Sequence, residues 1–263
     1  MTTSEAEGAP VPSAEFSRIG LRQLLWAPLL GTLLGVVLVV AFVAVWMFST
    51  MSGGRIGVGA AATALQSSFY ANMAIIVAIY LPTIGLFWNA ARKLTPAPAV
   101  RFFPPVKTLT VLLALAAGVA ASLLCLTLET WLSRAFGISF DLSPAEQAMF
   151  PTTAIQLVVA FAVIGFIGPF AEEFYFRGFL LQGLRQRMGA VPAVLVSAVA
   201  FGIVHFFMLV HPGLSGWVTT GEIVAVGLVM GVFVVRTGSL WTSLAVHVGY
   251  NCVVTLQMFL PPT

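Results

Sequence analysis

The stretch A-E-E-F-Y-F-R-G, residues 171–178, sets two adjacent carboxylates, Glu172 and Glu173, and Arg177 into otherwise apolar sequence. Two more polar intrusions interrupt apolar runs downstream: His205, four residues after Phe201 in F-G-I-V-H, and His247 with Asn251 in H-V-G-Y-N. Carboxylates and imidazoles take up and deliver protons, while imidazole and amide N–H groups donate to an oxygen that gains negative charge. Helical geometry divides the labour in the first motif. Successive residues point about 100° apart, so Glu172 and Glu173 are not expected to serve the same partner, whereas Glu173 and Arg177, at i,i+4, lie one above the other. On this reading Glu173 pairs with Arg177 and Glu172 is left free. The same spacing puts Phe201 and His205 on one helix face, and His247 and Asn251 on another.

The elements that must position these groups are membrane helices. With 59% hydrophobic and 8% charged residues among 263, the chain carries more apolar surface than a soluble domain of this size can bury. Apolar runs near 25–48, 70–90, 109–131, 153–170 and its extension, 192–210, 223–235 and 240–260 predict an all-α, polytopic transmembrane bundle of about seven spans. A helix over the whole of 153–188 would be roughly 54 Å long against a hydrocarbon core of about 30 Å, so the fourth span is expected to break or extend near Gly168-Pro169. If a new helix starts there, Glu172 falls in its first turn, where free N–H groups favour a carboxylate. Counted from the cytoplasmic ends of their spans, His205, Asn251 and His247 lie roughly 21, 18 and 12 Å deep, so these groups and Glu172 can meet. Ionisable groups at membrane depth usually line a working cavity.

Other features bound the reading. The first 23 residues are polar, lack the layout of a cleavable signal peptide and are expected to form a disordered cytoplasmic tail. Residues 24–260 then form a single transmembrane domain, with the motif core at about 153–254. The stretch 95–105 reads as a Pro-rich linker and 137–151 as an outer loop. Cys125 and Cys252 lie far apart within apolar segments, so neither a disulfide framework nor a cysteine metal cluster is indicated. His211, beside Pro212 and Gly213, is assigned no role. The net charge of +3 comes from residues spread over short loops with no aromatic recognition pattern, which argues against nucleic acid as a partner. A cytoplasmic N-terminus places Arg18, Arg22, Arg92, Lys93, Arg101, Lys107, Arg185, Arg187 and Arg236 inside, and only Arg55 and Arg134 outside. That distribution follows the positive-inside rule and points to an integral protein of the cell membrane, its site opening toward the cytoplasm.

The ordered set E-E-x-x-x-R, F-x-x-x-H and H-x-x-x-N on three spans resembles the CPBP intramembrane proteases, which include the type II CAAX prenyl endopeptidases and bacteriocin-processing enzymes. Each motif is weak alone; together they are specific. The resemblance covers about 153–254 and implies hydrolysis of a peptide bond in a membrane-associated, prenylated or CAAX-like protein or peptide. It implies that Glu172 and His205 activate water while His247 and Asn251 support the oxyanion. Glu172, His205 and His247 also form a two-histidine, one-carboxylate set suited to zinc, although no H-E-x-x-H is present. A glutamate and a histidine acting directly on water would use the same residues. Two rival classes remain: a catalytically silent membrane chaperone or immunity-type binding protein, and a proton-coupled transporter.

The charge distribution yields a test of orientation. With Cys125 and Cys252 replaced, a cysteine introduced at Ala99 should react with a membrane-impermeant thiol reagent only after the cell is opened. Labelling of intact cells would invert the topology.

Overall fold

Backbone groups in a lipid environment must find their hydrogen bonds within the protein, and helices do this segment by segment. The computed structural model describes residues 19–52, 57–95, 98–140, 144–209 and 213–260, and every regular element among them is helical. In chain order these are α1 (Leu21–Met51), α2 (Val58–Gln66), α3 (Phe69–Leu94), α4 (Pro98–Phe102) and α5 (Thr108–Phe136). They are followed by α6 (Pro144–Gln147), α7 (Ala154–Met188), α8 (Ala190–Leu209), α9 (Leu214–Thr237) and α10 (Leu240–Phe259).

Five of these, α1, α3, α5, α7 and α9, are long and apolar enough to cross a membrane. Length and composition thus mark five of the expected seven spans. The apolar stretch of α8, Ala190–Phe206, is shorter, and α10 is diluted by Thr242, Ser243, His247, Asn251 and Thr255. Large apolar side chains face outward, among them Leu33, Val45, Leu124 and Ile155, while Glu173, Arg177, Ser243 and His247 are buried. This arrangement, apolar outside and polar within, is that of an integral membrane protein.

Of the two outcomes expected near Gly168-Pro169, a break or an extension, the structure shows the extension. Helix α7 runs without interruption for 35 residues and changes its winding twice, with π turns at Val163–Ile167 and Phe174–Leu180 flanking an α segment, Gly168–Glu173. A π turn inserts an extra residue and widens the helix, so the ring of Pro169 follows it without a break in the chain. Glu172 is accordingly about five turns inside a continuous helix, with no free helix N-terminus beside it. Residues 1–18 of the expected tail, and with them Arg18, lie outside the described residues, as do Arg55 and His211. The tail boundary at residue 23 also moves. Helix α1 begins at Leu21, and the preceding Ile19 is buried, its N–H donating to Gln186 Oε1 at 3.1 Å and its carbonyl accepting from Arg187 at 2.9 Å.

Close helix approach depends on glycine. A Cβ at Gly118 of α5 would collide with the carbonyl oxygen of Val246 on α10 and stand 2.9 Å from Tyr250 N. At Gly249 of α10 a Cβ would collide with Leu115 O and lie 3.2 Å from Val119 N. Backbone thus rests on backbone where α10 presents His247, and such small-residue seams replace the hydrophobic drive that lipid cannot supply. On the other side of the bundle, α8 meets α9 through Gly202, Gly227 and Gly231. At one end of α7, Phe174 and Phe179 pack with Phe87 of α3 and Phe102 of α4, the Phe102 and Phe179 rings stacked at 5.6 Å.

Gly118→Ala and Gly249→Ala should each destabilise the protein by about 1–3 kcal/mol, because backbone cannot move aside as a side-chain tip can. Melting in detergent measures this. Gly85→Ala, where nothing lies within 4 Å of the added carbon, is the control and should hold or slightly raise the melting temperature.

Candidate active site

The winding of α7 governs what reaches the site. At the first π turn the N–H of Gly168 bonds to Val163 O rather than to Ile164 O. The next donor, at position 169, is proline and has no N–H, so the carbonyl of Ile164 lacks a partner within its own helix. Asn251 of α10 supplies one, its Nδ2 donating to Ile164 O at 2.8 Å. At the second π turn Ser197 of α8 donates to Phe176 O at 3.0 Å, and Gln182 to Arg177 O at 3.3 Å. Each widened turn is stitched by a polar side chain, as buried carbonyls require.

Arg177 is fully buried and makes three contacts with three helices. Its Nη1 donates to Glu173 Oε1 at 2.9 Å, its Nη2 to Gly227 O at 3.2 Å, and its guanidinium carbon stands 4.4 Å from the centre of the Phe201 ring. The pairing expected from the i,i+4 spacing is present. Glu173 Oε1 also accepts from His247 Nδ1 at 3.0 Å. Since a carboxylate only accepts, that contact places hydrogen on Nδ1 and leaves Nε2 of neutral His247 bare. His205 is held alike by the backbone, its Nδ1 lying 2.9 Å from Phe201 O, a carbonyl that likewise only accepts.

Both bare nitrogens face the other carboxylate. His205 Nε2 and His247 Nε2 each lie 3.7 Å from Glu172 Oε2. This overturns one sequence expectation: the two glutamates do share a partner. An imidazole carries its nitrogens on different edges, so the single ring of His247 spans from Glu173 to Glu172. Nor is Glu172 free, because its Oε1 accepts from the hydroxyl of Tyr80 on α3. Phe201 separates the two imidazoles, its ring centre 4.4 Å from that of His205 and 5.7 Å from that of His247, perpendicular to the latter.

Exposure is graded across the group. Side-chain accessibility is 19% for His205 and 13% for Glu172, but 7% for His247, 2% for Glu173 and 0% for Arg177. The approach to the site is therefore from the His205 and Glu172 side, with the ion pair sealed behind. Of the six residues singled out in the sequence, five converge. Asn251 stands one turn beyond His247 and is engaged with the backbone of α7.

Sequence reasoning missed Tyr80, Gly227 and the part played by Phe201. A tyrosine within an apolar span gives no signal of its partner; Pro169, by contrast, announces an orphaned carbonyl that a facing amide would have to meet. The zinc set Glu172, His205 and His247 is drawn to one place, yet among the described residues no three His, Cys, Asp or Glu side chains are disposed to hold a metal ion. Tyr80 occupies one oxygen of the carboxylate.

Residues 154–253 match the family described as type II CAAX prenyl endopeptidase Rce1-like. A Bacillus subtilis (strain 168) protein described as uncharacterized protein YyaK is 32% identical over 120 residues, 43% of this chain, and the match spans 39% of that protein's length. No solved structure matches the chain. The matched segment takes in α7, α8, α9 and most of α10, and with them Glu172, Glu173, Arg177, His205, His247 and Asn251; Tyr80 lies outside it. Residues 154–253 of this integral membrane protein are thus similar to the Rce1-like type II CAAX prenyl endopeptidase domain.

Proposed function

We propose that the protein is an intramembrane endopeptidase that hydrolyses a peptide bond in a membrane-associated protein or peptide, prenylated CAAX-like tails being the class the family's name suggests. One observation carries the reading: two imidazole nitrogens, both left bare by their Nδ1 contacts, stand 3.7 Å from the same oxygen of Glu172. Such a distance is too long for a direct hydrogen bond, and a water placed beside the pair can reach both atoms. Water donating to Glu172 Oε2 and to His205 Nε2 is oriented by both and loses its proton to the carboxylate as it attacks the scissile carbonyl. The negative charge that develops on the carbonyl oxygen needs donors. His247 donates from Nε2 once the proton taken from water has passed to it from Glu172, and the imidazolium is supported by Glu173 behind it until that proton goes to the leaving amine as the C–N bond breaks. Asn251 Nδ2 has a second hydrogen beyond the one given to Ile164. Removing one donor of this kind typically lowers the rate ~10²–10³-fold.

The same reading counts α8 and α10 as crossing helices, making seven, with the N-terminus inside. Arg185 and Arg187 at the end of α7 and Arg236 at the end of α9 then mark the cytoplasmic face. Two alternatives predict no cleavage: a silent membrane chaperone or immunity-type protein, and a transporter relaying protons through Glu172 and the histidines. Cleavage of reporter peptides by purified protein in detergent separates them from the protease.

Glu172→Gln should abolish turnover in folded protein, because it removes the base and keeps the shape. Glu173→Gln and Arg177→Ala should instead lower the melting temperature and yield, since breaking a buried pair leaves an uncompensated group at about 3–5 kcal/mol. Turnover per folded molecule and melting temperature are compared for all three. A stable, inactive Glu173→Gln beside an active Glu172→Gln would reverse the assignment, and full activity in both would end the protease reading.

Zinc on Glu172, His205 and His247 is the rival form of the same chemistry. It requires about one equivalent of metal in active protein, largely lost in His205→Ala. Elemental analysis that finds negligible metal in a fully active preparation removes it.

A further inference from the structure

The hydroxyl of Tyr80 donates to Oε1 of Glu172 from α3, a helix outside the segment that matches the family. Its ring lies along α7 one turn earlier, where a Cβ on Gly168 would stand 3.4 Å from Tyr80 Cε2 and 3.8 Å from Cζ. Gly168 and Glu172 are i,i+4, so a ring laid over the glycine carries its hydroxyl onto the carboxylate above it. Among the described residues, the other polar contacts of Glu172 are to Oε2, from His205 and His247 at 3.7 Å each. Tyr80 is therefore the group that tells the two oxygens apart. A glutamate has three side-chain torsions, and its terminal carboxylate turns broadly, so without a donor on Oε1 either oxygen, or neither, could face the imidazoles.

We propose that Tyr80 is a positioning residue for hydrolysis: it holds Oε1 so that Oε2 alone faces His205 and His247 as the base. This rests on the reading of Glu172 as the base. It also gives α3, and with it the part of the chain before residue 154, a share in the reaction. The bond is short-range and directional, and a base displaced by about 1 Å can lose ~10²-fold in rate.

Tyr80→Phe keeps the ring on Gly168 and removes only the hydroxyl. Turnover of a reporter peptide should fall roughly 10- to 100-fold, with KM within about twofold of the wild type and the melting temperature unchanged. A purely structural tyrosine would show the opposite pattern, a lower melting temperature with kcat per folded molecule preserved, and that result overturns the proposal. The contact itself is read without substrate. In protein labelled with ring-¹³C tyrosine, the infrared C–O band that Tyr80→Phe deletes should shift in Glu172→Gln and further in Glu172→Ala. A band that stays in place in active protein overturns the role of Tyr80. A band that shifts in those variants while the wild-type protein shows no peptidase activity keeps the contact and overturns the hydrolytic reading instead.

Discussion

A guanidinium with no exposed surface constrains everything around it. Arg177 is stable at that depth only because a carboxylate, a backbone carbonyl and an aromatic face meet it at once: Glu173, Gly227 O and the ring of Phe201. Each of those demands shapes another helix. At Gly227 a Cβ would come within 3.2 Å of Arg177 Nη2 and 3.3 Å of Ala198, so α9 must present bare backbone there, close against α8. Phe201 cannot turn away from the cation, and its carbonyl fixes the tautomer of His205 from the same residue. Glu173, held by Arg177, in turn holds His247. The pair is thus more than a neutralised charge. Through it the orientation of both imidazoles is coupled to one arginine, which explains why a structural ion pair adjoins Glu172 rather than sitting elsewhere in the bundle.

The second constraint is backbone satisfaction. In hydrocarbon an unpaired carbonyl has no water to fall back on, and α7 creates such carbonyls where its winding changes. The Ile164 carbonyl is met by Asn251, the Phe176 carbonyl also by Ser197, and the Arg177 carbonyl by Gln182. Two of these three donors come from the helices that carry the histidines. Widened turns therefore do two things: they let Pro169 stay inside a continuous helix, and they give α8 and α10 polar anchor points beside the site. Frequent occurrence of π turns at functional sites has a concrete cause here.

Legibility from sequence follows the range of the interaction. The Glu173–Arg177 pair is local, set by i,i+4 spacing, and it is present as expected. The meeting of Glu172, His205 and His247 was legible too, because depth in a membrane is a coordinate that residue counting supplies. What failed was inference about direction. The statement that adjacent glutamates cannot share a partner treats a partner as a point, whereas the imidazole of His247 has a nitrogen on each of two edges. The choice between a break and an extension near Gly168-Pro169 is left open by the rules of an α-helix, because a π turn obeys other rules, and no residue in V-I-G-F-I announces one. Tyr80 lies 92 positions from Glu172, and contacts at that range depend on how α3 leans on α7, which periodicity does not contain.

Burial orders the five converging groups by their task. The most exposed, His205 and Glu172, are those that would touch water, and the most hidden, Glu173 and Arg177, are those that would never react. His247 lies between them in exposure and in chemistry, with one nitrogen on the sealed pair and the other on the accessible carboxylate. Under the proposed function, such a gradient would resolve a conflict inherent to hydrolysis inside a membrane. A dry interior strengthens every electrostatic contact, while the reaction consumes water. Placing the ion pair in the dry part gives it the low-dielectric attraction that fixes the imidazole, and leaving Glu172 at the rim lets a water reach Oε2 without hydrating Arg177. The bridge between the two zones is a single ring, so any change that lets water past His247 would weaken the pair that orients it.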